Sequence, residues 1–278
     1  MPKEKYAYVL TYHSQNILGT TYSTNDHVAF AQDLPLLREM GFAAVSALKL
    51  VNALRSGSFG SLPARCVVLT MDDGSVFDYE DTLQPRYGMQ ESMLNIMRRQ
   101  HKACLGIHLS PPPFTATAFV IGSKSAREQI SLSFDNDQWM TDAWWPLAQR
   151  SGYLNLGSHS WDHVHPCVAE AASRPETVGV FHGVVTESEA ERQIAEPSRR
   201  LRMITKSDAA RLFAYPFGQT NDFLVRDYLP RQQEVLGAFT IAPEPVTKDT
   251  NIWAIPRFVC GDNWKSPEDL RALLGSKG

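Results

Sequence analysis

The chain has 278 residues, with 27 Lys plus Arg against 30 Asp plus Glu, a formal net charge of −3, and 43% of it is hydrophobic. This is the composition of a folded domain able to bury a full core, which excludes a disordered, coiled-coil or collagen-like chain. No basic excess points to nucleic acid, and no block of like charge marks a membrane-binding or partner-binding tail.

In chain order, the first residues carry a short apolar stretch without a small-residue cleavage site. They read as a strand over 6–12 and not as an export signal, so a cytoplasmic location is the expectation. No window approaches the roughly 20 apolar residues that span a bilayer. Helical spacing over 33–40 ends at Gly41, a C-cap, and leads to a second strand over 42–45. A buried strand over 66–70 follows. The segment 91–101 puts Met93, Leu94 and Met97 on one helix face and leads to an apolar strand over 116–121. Helix 142–150 and strand 154–156 repeat the alternation. Thr186 and Glu189 have the spacing of a capping box that opens a helix over 186–204. Strands over 213–215, 238–241 and 252–255 and a helix over 267–274 complete the pattern. Strands alternating with helices predict an α/β fold, a βα-repeating barrel. No repeat or linker divides the chain, so residues 1–278 are expected to form one domain. Cys66, Cys104, Cys167 and Cys260 lack any Cys-x-x-Cys spacing, which argues against a cysteine metal cage or a disulfide framework.

Barrels of this kind place their chemistry on loops after the C-terminal ends of strands. Three clusters lie at such points. In Thr70-Met71-Asp72-Asp73-Gly74, strand parity sends the two acids to opposite faces, and Gly74 lets the backbone turn until both reach one pocket. A plain solvated Asp-Gly turn is the alternative. In His159-Ser160-Trp161-Asp162-His163, histidines at i and i+4 share one side of a helical turn and suit one divalent cation, or form a structural hydrogen-bonded pair. Two histidines with one carboxylate would leave positions open for water and substrate, as catalytic metals require. The third cluster, Phe213-Ala214-Tyr215-Pro216-Phe217-Gly218, is a strand running into a Pro/Gly turn.

Together and in this order, the clusters resemble the polysaccharide deacetylase family, the carbohydrate esterases with a NodB homology domain. The resemblance extends over essentially the whole chain. It implies a distorted (β/α) barrel of about seven strands and metal-dependent removal of acetyl groups from an N-acetylated carbohydrate, with no oligomeric state implied. By motif position, Asp72 is the catalytic base, and Asp73, His159 and His163 hold one divalent metal ion, zinc foremost, with nickel, cobalt or iron also fitting the donor set. Tyr215, Pro216, Phe217, Gly218 and Arg257 are the expected substrate-side residues, with backbone N–H groups near Phe217 facing the oxyanion.

The sequence also departs from the family pattern. Where many members have an arginine that steadies the base, this chain has Ala214. Arg257 is the preferred replacement, and Asp262-Asn263-Trp264 partly matches a motif whose acid supports that arginine. The histidine of the last family motif is absent, so His13, at the end of the first strand in a Tyr-His pair, is the expected acid for the leaving amine. His27, His101, His108, His165 and His182 read as surface or packing residues. Alternatives are a hydrolase of a small amide or cyclic ureide, and a catalytically impaired carbohydrate-binding protein. A non-haem iron oxygenase would sit on an all-β barrel, which the helical alternation disfavours. With no export signal, a small nucleotide-linked or lipid-linked sugar is the expected substrate.

Overall fold

A computed structural model describes residues 5–105, 112–134 and 138–275; His108 lies outside them. The strands in chain order are β1 (Ala7–Tyr12), β2 (Ala43–Ala44), β3 (Cys66–Met71), β4 (Thr82–Gln84), β5 (Gly88–Gln90), β6 (Ala116–Val120), β7 (Leu154–Ser158), β8 (Leu212–Ala214), β9 (Gly237–Phe239) and β10 (Phe258–Val259). Seven of them pair in the order β10-β1-β3-β6-β7-β8-β9, all parallel, with β2 beside β3, and they curl into a half-barrel. β1, β3 and β6 are buried at every position, as continuous apolar runs must be when both faces of a parallel sheet are covered.

Strand parity separates two cores. Ala7, Val9, Cys66, Val68, Phe119, Leu212, Ala214 and Phe239 pack together on the inner face. Tyr8, Leu10, Tyr12, Val67, Leu69, Met71, Ala116, Ala118 and Val120 pack outward against the helices Asp26–Glu39 and Met93–Ala103. The inner parity of β3 continues through Thr70, whose hydroxyl lies 2.9 Å from that of Thr11, to Asp72. The inner parity of β1 likewise continues from Thr11 to His13.

One expected strand moves. Instead of a strand over 252–255, Ile255 makes a single parallel bridge to Phe239, and the ladder with β1 begins at Phe258. Pro256 between them lacks an N–H, so one continuous ladder cannot form. The segment therefore touches β9, one end of the sheet path, and then pairs with β1 as β10, the other end, and Arg257 sits between these attachments.

The first helix is longer than expected because Asn25 caps it, accepting from the His27 N–H. Pro35 inside it cannot bond to the Ala31 carbonyl, which accepts from Gln100 Nε2 instead. The helices Ala47–Arg55 and Lys124–Leu132, capped by Ser46 and Ser123, and the β4–β5 hairpin were not read from the sequence. Thr186 accepts from the Glu189 N–H, and the helix it opens carries a π segment, Glu191–Ala195, just ahead of Pro197. Among the described residues no helix is long and apolar enough to cross a membrane.

Candidate metal and hydrolytic site

The site lies at the C-terminal ends of β1, β3, β7 and β8. Asp72 is 4% exposed and continues the inner parity of β3. Asp73 would turn outward, but its φ of 73° and the φ of 77° at Gly74 reverse the chain. Asp is among the few side chains that tolerate this conformation. Gly74 is required on two counts, because a Cβ there would also lie 2.5 Å from Val120 Cγ1. The turn thus begins at Asp73 itself and not at Gly74 alone.

His159 directly follows β7, and its N–H donates to Val120 O at 2.9 Å. Its Nδ1 lies 2.8 Å from Ala214 O. A carbonyl only accepts, so Nδ1 carries the proton and Nε2 presents a bare lone pair. The stretch to His163 is not the helical turn that its spacing suggested. Ser160, His163 and Val164 all have positive φ, and the loop closes through the His163 N–H onto Ser160 Oγ at 2.9 Å. Asp162, fully buried, braces it by accepting from the Val164 N–H, Gln193 Nε2 and the guanidinium groups of Arg174 and Arg192.

Asp73 Oδ1 is 3.6 Å from Nε2 of both His159 and His163. The three donor atoms lie within 4.8 Å of one another. Burial, and then the neighbouring His159, push the His163 imidazole down to about 3, so it is neutral at physiological pH, the form that ligates a cation. Its Nδ1 is buried with no hydrogen-bond partner among the described residues. One carboxylate and two neutral imidazoles converging on one point fit a divalent cation, zinc included.

Asp72 is held apart from this cluster. Arg257 grips it with two parallel bonds, Nη1 to Oδ1 and Nη2 to Oδ2, each 2.7 Å, while Oδ2 stays 4.0 Å from His159 Nε2. Burial alone would raise the Asp72 carboxyl, but the charge and hydrogen bonds of Arg257 outweigh it and hold the group well below the usual carboxylate range. Arg257 is fully buried, its Nε donating to Thr240 O at 2.8 Å.

A cavity of about 300 Å³ opens over these groups, lined by His13, Asp72, Asp73, His159, His163, Phe217, Gly218, Ile241, Val259 and Asp262. Of the expected substrate-side residues, Phe217 and Gly218 reach it. Phe217 has a φ of 57° and packs its ring 4.6 Å from that of His163. Gly218 has a φ of 65°, and a Cβ there would collide with Ile241. Tyr215 does not reach the cavity, being buried against Phe181 and Phe213 with its hydroxyl donating to Trp253 O. Pro216 is buried, and Arg257 is spent on Asp72. Ile241 and Val259 were missed by sequence reasoning, although both lie at or just beyond strand ends. Asp262 lines the cavity and does not support Arg257. His13 is fixed through its backbone, its N–H donating to Asp26 Oδ2 at 2.8 Å.

The polysaccharide deacetylase family model matches residues 109–229, which carry both histidines and the 213–218 turn but neither aspartate. Over that segment the chain is similar to the polysaccharide deacetylase family. Among solved structures, the Streptococcus pyogenes deacetylase PplD in complex with acetate aligns at a TM-score of 0.64 and 15% identity, covering 98% of this chain and 99% of that one. A de-N-acetylase from Aggregatibacter actinomycetemcomitans gives 0.62 at 15% identity, covering 97% and 100%, and IcaB from Ammonifex degensii gives 0.59 at 18% identity, covering 98% of each chain. No curated protein gives a match. These alignments extend the fold relationship to the part of the chain that bears Asp72 and Asp73.

Behind the site, Asp78 is fully buried, both of its carboxyl oxygens lack a hydrogen-bond partner among the described residues, and the carboxyl is pushed up to about 8 by burial and by the nearby charges of Asp73 and Asp72. An acid whose folded value lies above its unfolded value of about 4 costs stability as pH rises through that interval. In metal-free protein, the melting temperature should therefore fall more steeply from pH 5 to pH 9 for the wild type than for Asp78→Asn. Parallel pH profiles by differential scanning calorimetry would contradict this.

Proposed function

We propose that the chain is a metal-dependent hydrolase that removes the acetyl group from an N-acetylated sugar. The observation that carries this reading is the separation of the two acids: Asp73 joins His159 and His163, while Arg257 holds the ionised Asp72 beside that group and off it. A divalent cation bound by the three donors supplies Lewis acidity toward the amide carbonyl and lowers the pKa of water.

Asp72 takes the proton of the attacking water. Each of its oxygens accepts one bond from Arg257 and keeps capacity for another. The Gly218 and Gln219 N–H groups are committed to Tyr215 O and Pro216 O, so the Phe217 N–H is the donor in this turn assigned to the developing oxyanion. His13 delivers a proton to the departing amine, since an amide nitrogen leaves poorly unless protonated. Its position on the wall of the same cavity as Asp72, His159 and His163 supports this role. Solved relatives described as a deacetylase and a de-N-acetylase support the reaction class.

The test is product analysis on metal-loaded protein offered N-acetylglucosamine, chitin oligosaccharides and cyclic ureides. Acetate release from the N-acetyl sugars is expected. Ring opening of ureides without acetate, or saturable sugar binding without turnover, would overturn the reading.

A further inference from the structure

We propose that Asp162 is a positioning residue for the metal site, holding the strained backbone at His163 and Val164 through a network that the π turn of a distant helix completes. The proposal rests on the metal-site reading and deepens it by naming what keeps one of the three ligands aimed.

The need for such a device follows from the backbone. His163 and Val164 have φ of 58° and 43° in succession. Val164 is the costlier of the two, because a β-branched side chain crowds the chain in the left-handed region. Its side chain is fully buried in a cluster with Phe181, Phe213 and Leu224, so it is fixed where it stands. Such residues persist only where their surroundings over-determine the turn. The His163 ring does not do this, since its Nδ1 has no hydrogen-bond partner among the described residues.

Asp162 supplies the hold. Its Oδ1 accepts from the Val164 N–H and from Gln193 Nε2, each at 2.9 Å, and its backbone carbonyl accepts from the His165 N–H at 3.2 Å. Its Oδ2 accepts from Arg174 and Arg192. Gln193 is fully buried and also grips the loop on its other side, its Oε1 accepting from the Trp161 N–H at 3.3 Å. Arg192 and Gln193 are neighbours in the π segment Glu191–Ala195. Pro197, four residues after Gln193, has no N–H to offer the Gln193 carbonyl, so the regular α ladder fails there. The wider π turn brings consecutive side chains closer in direction, and both meet the same carboxylate. Every partner of that carboxylate is a donor. An amide of the same size would have to turn its NH2 toward either the Val164 side or the two arginines, so Asp162→Asn breaks half of the network.

The test is the zinc dissociation constant, read by competition with a chromophoric chelator, alongside thermal unfolding of the metal-free protein. The chains compared are the wild type, Asp162→Asn, Gln193→Met and each of these variants combined with Val164→Gly. Asp162→Asn should bind zinc about 10- to 100-fold more weakly, the range for loss of a group that orients a ligand, and Gln193→Met should weaken it by less. Adding Val164→Gly should lower the melting temperature further, because it empties a buried position, yet should recover most of the zinc affinity, because glycine takes positive φ without strain. A role in stability alone predicts the reverse, with the doubly substituted chains weakest in both measurements. Zinc affinity equal to that of the wild type in Asp162→Asn, or lost there without recovery on adding Val164→Gly, would overturn the proposal. Should Asp162→Asn fail to fold, the same two outcomes for Gln193→Met decide it. A wild type that binds no zinc would remove the metal site together with this proposal, whereas equal binding by the wild type and the variants removes the proposal alone.

Discussion

Replacing Asp72 with Asn should lower acetate release by about 10²- to 10⁴-fold, the range set by loss of a positioned general base. The amide keeps the shape of the side chain and an oxygen for Arg257, but it cannot accept a proton from water. The variant should lose some stability, because Arg257 is left buried without a charged partner, and circular dichroism should show that it still folds. Most of the loss should fall on kcat, since Asp72 acts on the water and does not hold the sugar. A variant that turns over at the wild-type rate would remove Asp72 from the mechanism.

The second large effect is on stability. Arg257 and Asp72 form a bidentate pair with side chains 0% and 5% exposed. Removing one partner of a buried pair leaves the other charge unpaired, at a cost of about 3–5 kcal/mol. Arg257→Ala should show that loss in denaturant unfolding, together with a deep fall in turnover, because the base loses the group that keeps it ionised and aligned. The Arg257→Ala, Asp72→Asn double variant should recover part of the stability, since the unpaired charge is gone, while remaining inactive. Additive destabilisation in the double variant would mean that the two residues do not act as a pair.

Much of the site was legible because it follows strand ends. Asp72 continues the inward parity of β3, His13 that of β1, and His159 follows β7 directly. Residues whose placement depends on pairing between distant segments were harder to read. Arg257 meets Asp72 because Pro256 interrupts a ladder between the two ends of the sheet path, an arrangement that no local pattern encodes. Tyr215 has the same outward appearance in sequence as Phe217, yet only the positive φ at Phe217 and Gly218 turns the chain toward the cavity. The i, i+4 spacing of His159 and His163 suggested a helical turn. The pair instead converges through a loop braced by Asp162 and two arginines from other segments, so the spacing pointed to a shared site by the wrong local geometry. The helices Ala47–Arg55 and Lys124–Leu132 were missed although each opens on a serine cap.

The division of labour between the two adjacent acids is the centre of the account, and the zinc content of matched variants tests it most directly. After loading and desalting, Asp72→Asn should retain about one zinc per chain, as the wild type does, whereas Asp73→Asn should retain far less, because it removes one of three ligands. Loss of zinc from Asp72→Asn with retention in Asp73→Asn would reverse the two roles, and no retained zinc in the wild type would contradict the metal site itself.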